Sequence, residues 1–394
     1  MLEQARARKT SSGVNSRRGL SAAILMGVIG PEVFIVQPGF VQGLVAWLGF
    51  SDQQAGYTAS AEMFGIAATT VLLTFAAHRV NWRRIFSGSL LLMFLANALS
   101  VFVTDFETFV ALRFVAGFGA GGIVSLSFAA IGLTDNPDRN FGYLIMWVLI
   151  YGAIGLLLMP TAYAAFGLAG VLWFFAVFPL LGLPFVSELP VTGENAVPAD
   201  ASAVTLSLRL RTLALLAMLA YFLAQGVVWA YLFLIGLAGG LAEQQVANGL
   251  TISQFAGIAG AFLAATLGDR YGRSLPLTLG ILGGALCLYF LVGRFEFLVF
   301  AVAVGVYNFA WNASHPFLLA AMASFDRRGR VVVYAVAMQM IGLAVGPGLA
   351  ATVIRDGNYA NVNILGAGLF VLSLALILPP VLAYAQKPAM ATST

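Results

Sequence analysis

Long apolar runs separated by short charged or turn-rich breaks make up almost the whole chain. Stretches such as 85–103 and 362–385 lack the alternation of apolar and polar positions that is typical of the strands of a membrane barrel. A helix needs roughly 20 apolar residues to cross a bilayer. The pattern therefore predicts an all-α membrane protein with twelve transmembrane helices, at 20–46, 54–77, 85–103, 108–132, 141–165, 169–187, 209–237, 247–267, 275–293, 297–323, 331–354 and 362–385.

The predicted helices fall into two halves that share sequence features. His78-Arg79 after the second helix is echoed by Asp269-Arg270 after the eighth, and a similar Asp-Arg pair precedes both the fifth and the eleventh helix. Two parallel six-helix repeats are a known transporter design, with the substrate site between them near the bilayer midplane. We predict a tail at 1–19, a six-helix bundle at 20–187, a linker at 188–208, a second bundle at 209–385 and a tail at 386–394.

Composition supports a membrane protein and excludes several function classes. Of the 394 residues, 60% are hydrophobic and only 9% are charged, whereas soluble domains carry about 25% charged residues. The single cysteine, Cys287, cannot form an internal disulfide, and the two histidines lie far apart in the sequence. The sequence has no G-x-x-x-x-G-K-[ST] loop for nucleotide phosphates. We therefore expect no enzyme activity, no metal and no cofactor, with a proton gradient as the energy source.

Basic residues are concentrated in alternate breaks of the chain. Seventeen of the 20 lie in the two tails, the linker and the breaks on the same side, whereas Arg294 and Arg355 lie on the other side and Arg113 lies within a helix. Cytoplasmic loops carry an excess of lysine and arginine. We predict that both termini and the linker are cytoplasmic, in a cell inner or plasma membrane.

Two short motifs carry a resemblance to a known family. Residues 268–273 read GDRYGR, which resembles the loop motif G-x-x-x-D-R-x-G-R of the major facilitator superfamily, and the first-half copy has His78 where that family prefers aspartate. Residues 113–119 read RFVAGFG, similar to the family's R-x-x-x-G-x-G motif. The resemblance covers nearly the whole chain. It implies the family's fold of two pseudo-symmetric six-helix bundles, which transport by alternating access.

The resemblance also implies roles for individual residues. The arginine of the R-x-x-x-G-x-G motif is linked to proton coupling in the family, and this role falls to Arg113. The charges of the tail-side loops imply gating latches that stabilise the state closed to the cytoplasm. The gating candidates are Arg79, Asp138, Arg139, Asp269, Arg270, Arg273, Asp326 and Arg327. The family's antiporter motif G-P-x-x-G-G is not properly formed in the fifth helix, which favours uptake over export.

Four ionisable side chains lie within the predicted helices, namely Glu32, Glu62, Arg113 and His315. An intramembrane charge is costly and is a functional hypothesis by default. A rise of 1.5 Å per residue places Glu32 about 18 Å into the first helix, and Glu62 and Arg113 roughly 8–12 Å below the outer face. We predict that Glu32 or Glu62 accepts a proton and that Arg113 modulates it. The alternative is a static ion pair that pins the first, second and fourth helices together.

Polar and aromatic side chains form stripes at helical spacing that predict a cargo pocket. Asn308, Trp311, Asn312 and His315 follow the spacing i, i+3, i+4, i+7 on the tenth helix. The other members of the predicted pocket are Trp147, Tyr151, Tyr221, Gln225, Trp229 and Gln339. The alternative for the aromatics is packing or an interfacial belt, and the alternative for the amides is interhelical hydrogen bonding.

The sequence as a whole predicts a proton-coupled secondary transporter of a small organic molecule, an organic anion or an aromatic amphiphile. We favour uptake, with Arg113 suited to a carboxylate. One alternative is a proton/drug antiporter in which Glu32 and Glu62 attract cationic drugs, and another is a membrane sensor or scaffold that transports nothing. We expect the partners to be the small-molecule substrate, membrane lipid and protons. We expect no nucleic acid, and we expect a monomer.

Overall fold

The computed structural model describes residues 13–76, 79–192, 206–268, 270, 272–325, 330–355 and 357–386. The described chain is almost entirely helical. Eight of its helices are long and apolar enough to cross a membrane by themselves, and the remaining predicted spans are shorter or broken helices. The prediction of an all-α membrane protein with twelve transmembrane helices in two bundles is confirmed. The domain boundaries given above stay predictions.

The first predicted span of the N-terminal half consists of three successive helices. These are α1 (Arg17–Ile29), α2 (Glu32–Ile35) and α3 (Gln37–Leu48), and they are followed by α4 (Asp52–Ala76), α5 (Trp82–Ser100), α6 (Phe106–Gly132) and α7 (Pro137–Leu180). Helix α7 contains the fifth predicted span and most of the sixth, and its backbone breaks at Gly167, where φ is 63° and ψ is −173°. Glycine adopts positive φ without steric cost. The turn between these two spans is therefore very short.

The C-terminal half repeats this order with fewer breaks. Its helices are α8 (Leu208–Trp229), α9 (Leu232–Ala238), α10 (Glu243–Leu267), α11 (Ser274–Tyr289), α12 (Phe297–Ser324), α13 (Arg330–Val353) and α14 (Ala360–Ala385). Helices α8 and α9 together form the seventh predicted span, as α1 to α3 together form the first. The first span of each half is thus discontinuous.

Two prolines break the first span near its middle. Pro38 has no N–H to donate to the carbonyl of Phe34, four residues earlier, and Pro31 directly precedes α2. Backbone groups freed in this way are tolerated at membrane depth where they meet protein or line a cavity. The Phe34 carbonyl instead accepts a hydrogen bond of 2.9 Å from the indole of Trp229 in the other half. Glu32 therefore lies on a four-residue helix between two breaks.

Polar side chains fix where several spans begin. The Asn81 side chain accepts a hydrogen bond from the Arg84 N–H at the start of α5, and Asp105 accepts one of 2.9 Å from the Thr108 N–H at the start of α6. Both are preferred capping residues because their oxygens satisfy N–H groups that lack a partner in the helix. The hydrogen bonds from Thr108 hold the pKa of the exposed Asp105 carboxyl below its usual value.

The spans connect two faces of the molecule. We call the face at the starts of α1, α5, α7 and α8 and the end of α14 the tail face, and the face at Gly49, Asp105 and Glu296 the far face. The two halves meet along two seams, α4 against α13 and α7 against α10. Because α4 corresponds to α10 in the repeat, and the first part of α7 to α13, the two seams are related by the same internal symmetry.

Glycines bring the helices that carry the ionisable residues close together. A Cβ at Gly117 on α6 would collide with the backbone carbonyl of Glu62 on α4, and a Cβ at Gly121 would lie 2.9 Å from the Cα of Ile66. Small residues at such positions allow the backbones of membrane helices to approach closely. The close approach of α4 and α6 places Glu62 and Arg113 in the same part of the N-terminal half.

Candidate cargo cavity and proton-coupling site

A cavity of about 220 Å³ lies between the two halves. Its wall from the N-terminal half is apolar and includes Phe34, Met63, Val124, Phe128, Leu144 and Val148. The wall from the C-terminal half carries the polar groups Gln254, Asn308, Trp311, Asn312, His315 and Gln339. None of the described residues that line it is Asp, Glu, Lys or Arg. The wall from the C-terminal half also contains the apolar side chains of Phe222, Met340 and Leu343. The cavity thus has an apolar wall on one side and, on the other, a wall that carries all its polar, uncharged groups, which we call the polar wall.

Aromatic side chains close the cavity toward the far face. The Trp311 ring lies edge-on to Phe34 at 6.4 Å and to Trp229 at 5.9 Å between centroids, and Trp229 is hydrogen-bonded to the Phe34 carbonyl. In the other direction the lining reaches Phe128, which lies four residues, or about 6 Å, from the tail-face end of α6. The cavity therefore extends toward the tail face.

The polar wall is built from amides that partly satisfy one another. Asn312 Nδ2 donates to the backbone carbonyl of Asn308 at 3.0 Å and to its side-chain oxygen at 2.7 Å. Asn308 Nδ2 donates to Ser253 Oγ at 3.3 Å. His315 Nε2 lies 3.1 Å from Gln339 Oε1, and its ring packs edge-on against a phenylalanine of α8. Helix α12 thus presents its predicted stripe to the cavity.

The structure brings six of the ten predicted pocket residues to the cavity. They are Trp229, Asn308, Trp311, Asn312, His315 and Gln339. Tyr221 and Gln225 are buried within the C-terminal half and do not line the cavity, since the Tyr221 ring packs against Phe370 of α14. Trp147 is half-exposed on the outside of α7, and Tyr151 stacks on Phe178 in the second part of the same helix. These four do not line the cavity in this conformation, and their role in cargo binding stays a prediction.

Sequence reasoning missed one polar residue and several apolar residues of the cavity. Gln254 on α10 lines it and is buried. The available signal was an amide within an otherwise apolar span. Gln254 was missed because it has no aromatic or amide neighbour at helical spacing on its own helix and so belongs to no stripe. Phe34, Met63 and Phe222 also line the cavity, and a phenylalanine or methionine in an apolar span carries no signal of its own.

Glu32, Glu62 and Arg113 are buried together inside the N-terminal half, behind the apolar wall of the cavity. Glu32 and Arg113 are fully buried and Glu62 is 5% exposed. Both carboxylates interact electrostatically with Arg113. Neither oxygen of Glu32 has a hydrogen-bond partner among the described residues. The three residues therefore form one buried group, but the Glu32 carboxyl is not hydrogen-bonded to Arg113, and their role in proton coupling stays a prediction.

Arg113 is held by the helix next to it instead. Its Nη2 donates to Ser100 Oγ at 2.8 Å and lies 3.5 Å from the Ala96 carbonyl. Its guanidinium carbon lies 5.9 Å from the ring centre of Phe40 and 5.5 Å from that of Phe109. Its Nε and Nη1 have no hydrogen-bond partner among the described residues. Arg113 therefore retains donors that another group can use.

Hydrogen bonds join the two halves near the far face, in two places related by the repeat. In the first, Asp52 Oδ1 accepts from the Tyr359 hydroxyl at 2.9 Å, and the Asp52 carbonyl accepts from the Tyr231 hydroxyl at 2.8 Å. In the second, Glu243 Oε1 accepts from Gln42 Nε2 at 3.3 Å. We call these contacts the far-face clasps. They hold the far side of the molecule closed in this conformation.

The clasps are formed by a short sequence that is repeated at the starts of α4 and α10. Residues 52–54 read DQQ and residues 243–245 read EQQ, 191 positions later. The second residue of each, Gln53 and Gln244, donates to a backbone carbonyl of the opposite half. The third, Gln54 or Gln245, accepts from the N–H three residues earlier and caps its helix. The same three-residue unit thus builds both clasps.

Comparison with known families identifies the chain. The family model described as Major Facilitator Superfamily matches residues 20–242 and 214–393. The chain belongs to the major facilitator superfamily. It is a membrane transporter and not an enzyme, and the resemblance of its two motifs to that family is confirmed.

Several named transporters are similar to this one. The gentisate transporter of Corynebacterium glutamicum is 27% identical over 408 residues, which cover 94% of this chain and 88% of that protein. A protein of Bacillus subtilis (strain 168), whose name proposes niacin or nicotinamide as its cargo, is 24% identical over 276 residues, covering 66% of this chain and 68% of that protein. The D-xylose–proton symporter has the same fold, with a TM-score of 0.75 and 16% identity over 92% of this chain and 97% of that one.

The gating candidates of this transporter lie at the tail face. Arg79, Arg139 and Arg270 are exposed there. Arg273 donates to Ser324 Oγ and lies over a tyrosine of α14, so these contacts join helices within the C-terminal half. Asp138 lies within α7. The remaining candidates, Asp269, Asp326 and Arg327, lie outside the described residues, and the gating role of the whole set stays a prediction.

Proposed function

We propose that this transporter takes up small aromatic carboxylates together with protons, by alternating access of the cavity to the two sides of the membrane. The observation that carries the proposal is the division of the cavity into an apolar wall and a polar, uncharged wall. An aromatic acid has the same division, because its ring is apolar and its carboxylate accepts hydrogen bonds. The cargo ring lies against the N-terminal half, and its polar groups face the amides of the C-terminal half.

The size of the cavity supports a cargo of one ring. Its volume of about 220 Å³ is below the range of about 300–1,000 Å³ that is usual for pockets of drug-sized ligands. The cargos in the names of the two relatives, gentisate and niacin, are each a carboxylate on a single aromatic ring. The chemistry of the cavity and the relatives' cargos therefore support the same class of molecule.

The charge of the cavity supports transport of a proton with the anion. An anion entering a site without a fixed positive charge is costly, and a proton that travels with it cancels the net charge. The buried group of Glu32, Glu62 and Arg113 supplies a carboxyl that can hold this proton. Since none of the described lining residues is acidic, the cavity lacks a carboxylate that could attract the cationic drugs of the alternative antiporter.

The distribution of basic residues supports an orientation with the tail face in the cytoplasm, in a cell inner or plasma membrane. In that orientation the described conformation is closed to the outside by the far-face clasps, and its cavity extends toward the cytoplasm. Both walls of the cavity come from one chain, which supports a transporter that works as a monomer.

Uptake into proteoliposomes tests the proposed function. Purified protein is reconstituted, the interior is set one pH unit above the exterior, and radiolabelled 2,5-dihydroxybenzoate, nicotinate and a cationic dye are compared. With one proton per anion we expect about tenfold accumulation of an aromatic acid, abolished by a protonophore that collapses the gradient. Two results contradict the proposal. One is that neither aromatic acid accumulates, and the other is that the cationic dye accumulates when the pH gradient is reversed.

Weakening the far-face clasps is expected to open the transporter to the outside more often. The double variant Tyr359→Phe and Gln42→Ala removes two hydrogen bonds to carboxylates, each worth about 1.5–3 kcal/mol. Both stabilise the closed far side, so their loss raises the outward-open population at least about tenfold. The measurement is labelling of a Val148→Cys reporter in the cavity by an impermeant maleimide added outside intact cells.

The labelling experiment uses a protein without its natural cysteine and includes a matched control. Cys287 is the only cysteine of the sequence and is replaced by serine beforehand. Asn361→Ala removes an exposed far-face hydrogen bond to Val353, within the C-terminal half, and is expected to leave labelling unchanged. Equal labelling rates with and without the clasp substitutions contradict a gating role. Fast labelling of the Val148→Cys reporter from outside, in a protein whose clasps are intact, contradicts the proposed orientation.

A further inference from the structure

Gln254 differs from every other amide of the polar wall. The side chains of Asn308 and Asn312 are hydrogen-bonded to each other, and Gln339 is paired with His315. Gln254 is only 2% exposed, lines the cavity and has no hydrogen bond from its side chain to the described protein. Buried polar side chains almost always have a partner. The partner of Gln254 is therefore to be sought in what fills the cavity.

The position of Gln254 is built by the seam between the two halves. A Cβ at Gly152 on α7 would lie 3.0 Å from Gln254 Oε1, so the absence of a side chain there leaves room for the amide. One helical turn earlier, the Thr251 hydroxyl lies 2.9 Å from the Ala247 carbonyl of its own helix and 3.2 Å from the Ala153 carbonyl across the same seam. Helices α7 and α10 therefore pack closely at the level of Gln254.

The chemistry of a free amide limits the group that can satisfy it. Its NH₂ donates and its oxygen accepts, whereas a carboxylate only accepts. A ring hydroxyl or a carboxamide both donates and accepts, and it therefore satisfies both ends of Gln254. A carboxylate placed there would leave the amide oxygen without a donor. The amide thus fits a second, neutral substituent of an aromatic acid better than the carboxylate itself.

We propose that Gln254 is a specificity-determining residue that selects cargo with a neutral hydrogen-bonding substituent, a ring hydroxyl above all. This inference rests on the proposed transport of aromatic carboxylates and adds to it which members of that class are preferred. Hydroxylated benzoates satisfy the amide, and unsubstituted benzoate leaves it buried without a partner. A site built to bind a hydroxyl rejects the analogue that lacks it.

The internal repeat supplies a natural counterpart for the test. Met63 on α4 lies 191 positions before Gln254, at the same offset as the DQQ and EQQ units, and it also lines the cavity. The two halves thus present side chains of similar length from equivalent positions, a thioether from one and an amide from the other. Gln254→Met gives both halves the same side chain and removes the amide with little change of shape.

Binding measured on the purified transporter tests the proposal. Isothermal titration compares 2,5-dihydroxybenzoate with benzoate, and both acids carry the same carboxylate. We expect the wild-type protein to prefer the hydroxylated acid. Gln254→Met is expected to weaken binding of that acid about tenfold, the effect of one neutral hydrogen bond, and to leave benzoate binding as strong as in the wild type or stronger, because no amide is then left without a partner. Gly152→Ala, which crowds the same amide, is expected to shift the preference in the same direction.

The controls separate a loss of specificity from a loss of structure. Thr266→Val removes a polar side chain of the same helix whose hydrogen bond stays within that helix and which does not line the cavity, and it is expected to keep the wild-type preference. Gel filtration verifies that each variant is monodisperse, and benzoate binding verifies an intact cavity. An unchanged preference in Gln254→Met overturns the inference and leaves the proposed function standing. A wild-type protein that binds neither acid overturns the proposed function, and the inference with it.

Discussion

Replacing Glu32 by glutamine is expected to abolish cargo accumulation driven by a pH gradient while sparing exchange of cargo across the membrane. Glutamine has the shape of a neutral glutamic acid but can neither bind nor release a proton. A transporter with this substitution can still carry cargo in both directions between two compartments of equal pH. It can no longer use the gradient, so accumulation falls from about tenfold per pH unit to equality.

The surroundings of Glu32 give the physical reason. The side chain is fully buried on the short helix α2, and neither of its oxygens has a hydrogen-bond partner in the described protein. An ionised carboxylate in such a place costs several kcal/mol, so the described conformation favours a protonated Glu32. Arg113 has donors without partners in the same half. A conformation that brings the two together favours release of the proton, which couples the proton to the movement of the helices.

The measurement separates two rates in the same proteoliposomes. Counterflow of labelled against unlabelled cargo at equal pH reports exchange, and uptake with an imposed pH gradient reports coupling. Glu107→Gln is the matched control, because Glu107 is an exposed carboxylate in the first turn of α6, and it is expected to behave as wild type in both assays. Proton-driven accumulation by Glu32→Gln at the wild-type level removes Glu32 from the coupling mechanism.

The length of the apolar runs was sufficient to predict the transmembrane helices, but not every break within them. Apolar runs bounded by charges predicted the spans because a bilayer-crossing helix must satisfy its own backbone. Pro31 and Pro38 announced the break in the first span. The equivalent break between α8 and α9 contains no proline, so no helix-breaking residue marks it, whereas the break of α7 at Gly167 falls between the fifth and sixth predicted spans.

Helical spacing predicts which residues share a face, but it does not predict what that face meets. The stripe of α12 from Asn308 to His315 turns toward the cavity. The stripe of Tyr221, Gln225 and Trp229 on α8 has equally good spacing, yet only Trp229 reaches the cavity because the other two pack inside their own half. Gln254 stands alone on its helix face, so only the three-dimensional arrangement reveals it.

The far-face clasps are a second case in which the sequence predicts a local unit but not its partner. The DQQ and EQQ units can be found in the sequence as a repeat 191 positions apart. Their partners, Tyr359 and Gln42, lie far away in the chain and in different spans. A contact between the halves depends on which of the alternating conformations is present, and the amino-acid sequence encodes all of them at once.

Replacing Arg113 by alanine is expected to disable both exchange and proton-driven uptake, even when the protein reaches the membrane in normal amounts. Among the described residues, Arg113 is the only cation whose charge acts on both Glu32 and Glu62. Its loss removes the charged hydrogen bond to Ser100, worth about 1.5–3 kcal/mol, and leaves two buried carboxyl groups without a positive neighbour. A loss of transport of about tenfold to 100-fold follows from that energy alone.

The loss in Arg113→Ala differs from that in Glu32→Gln because exchange at equal pH also fails. Glu32→Gln leaves a neutral site that still cycles, whereas Arg113→Ala leaves two buried acids without the cation that stabilises their ionised form, together with a space beside Phe40 and Phe109. Arg113→Lys keeps the charge without the planar group, and its partial activity would assign the effect to charge. Arg294→Ala, at an exposed far-face arginine, is the matched control. Near wild-type exchange in Arg113→Ala would reduce Arg113 to a packing residue of α5 and α6.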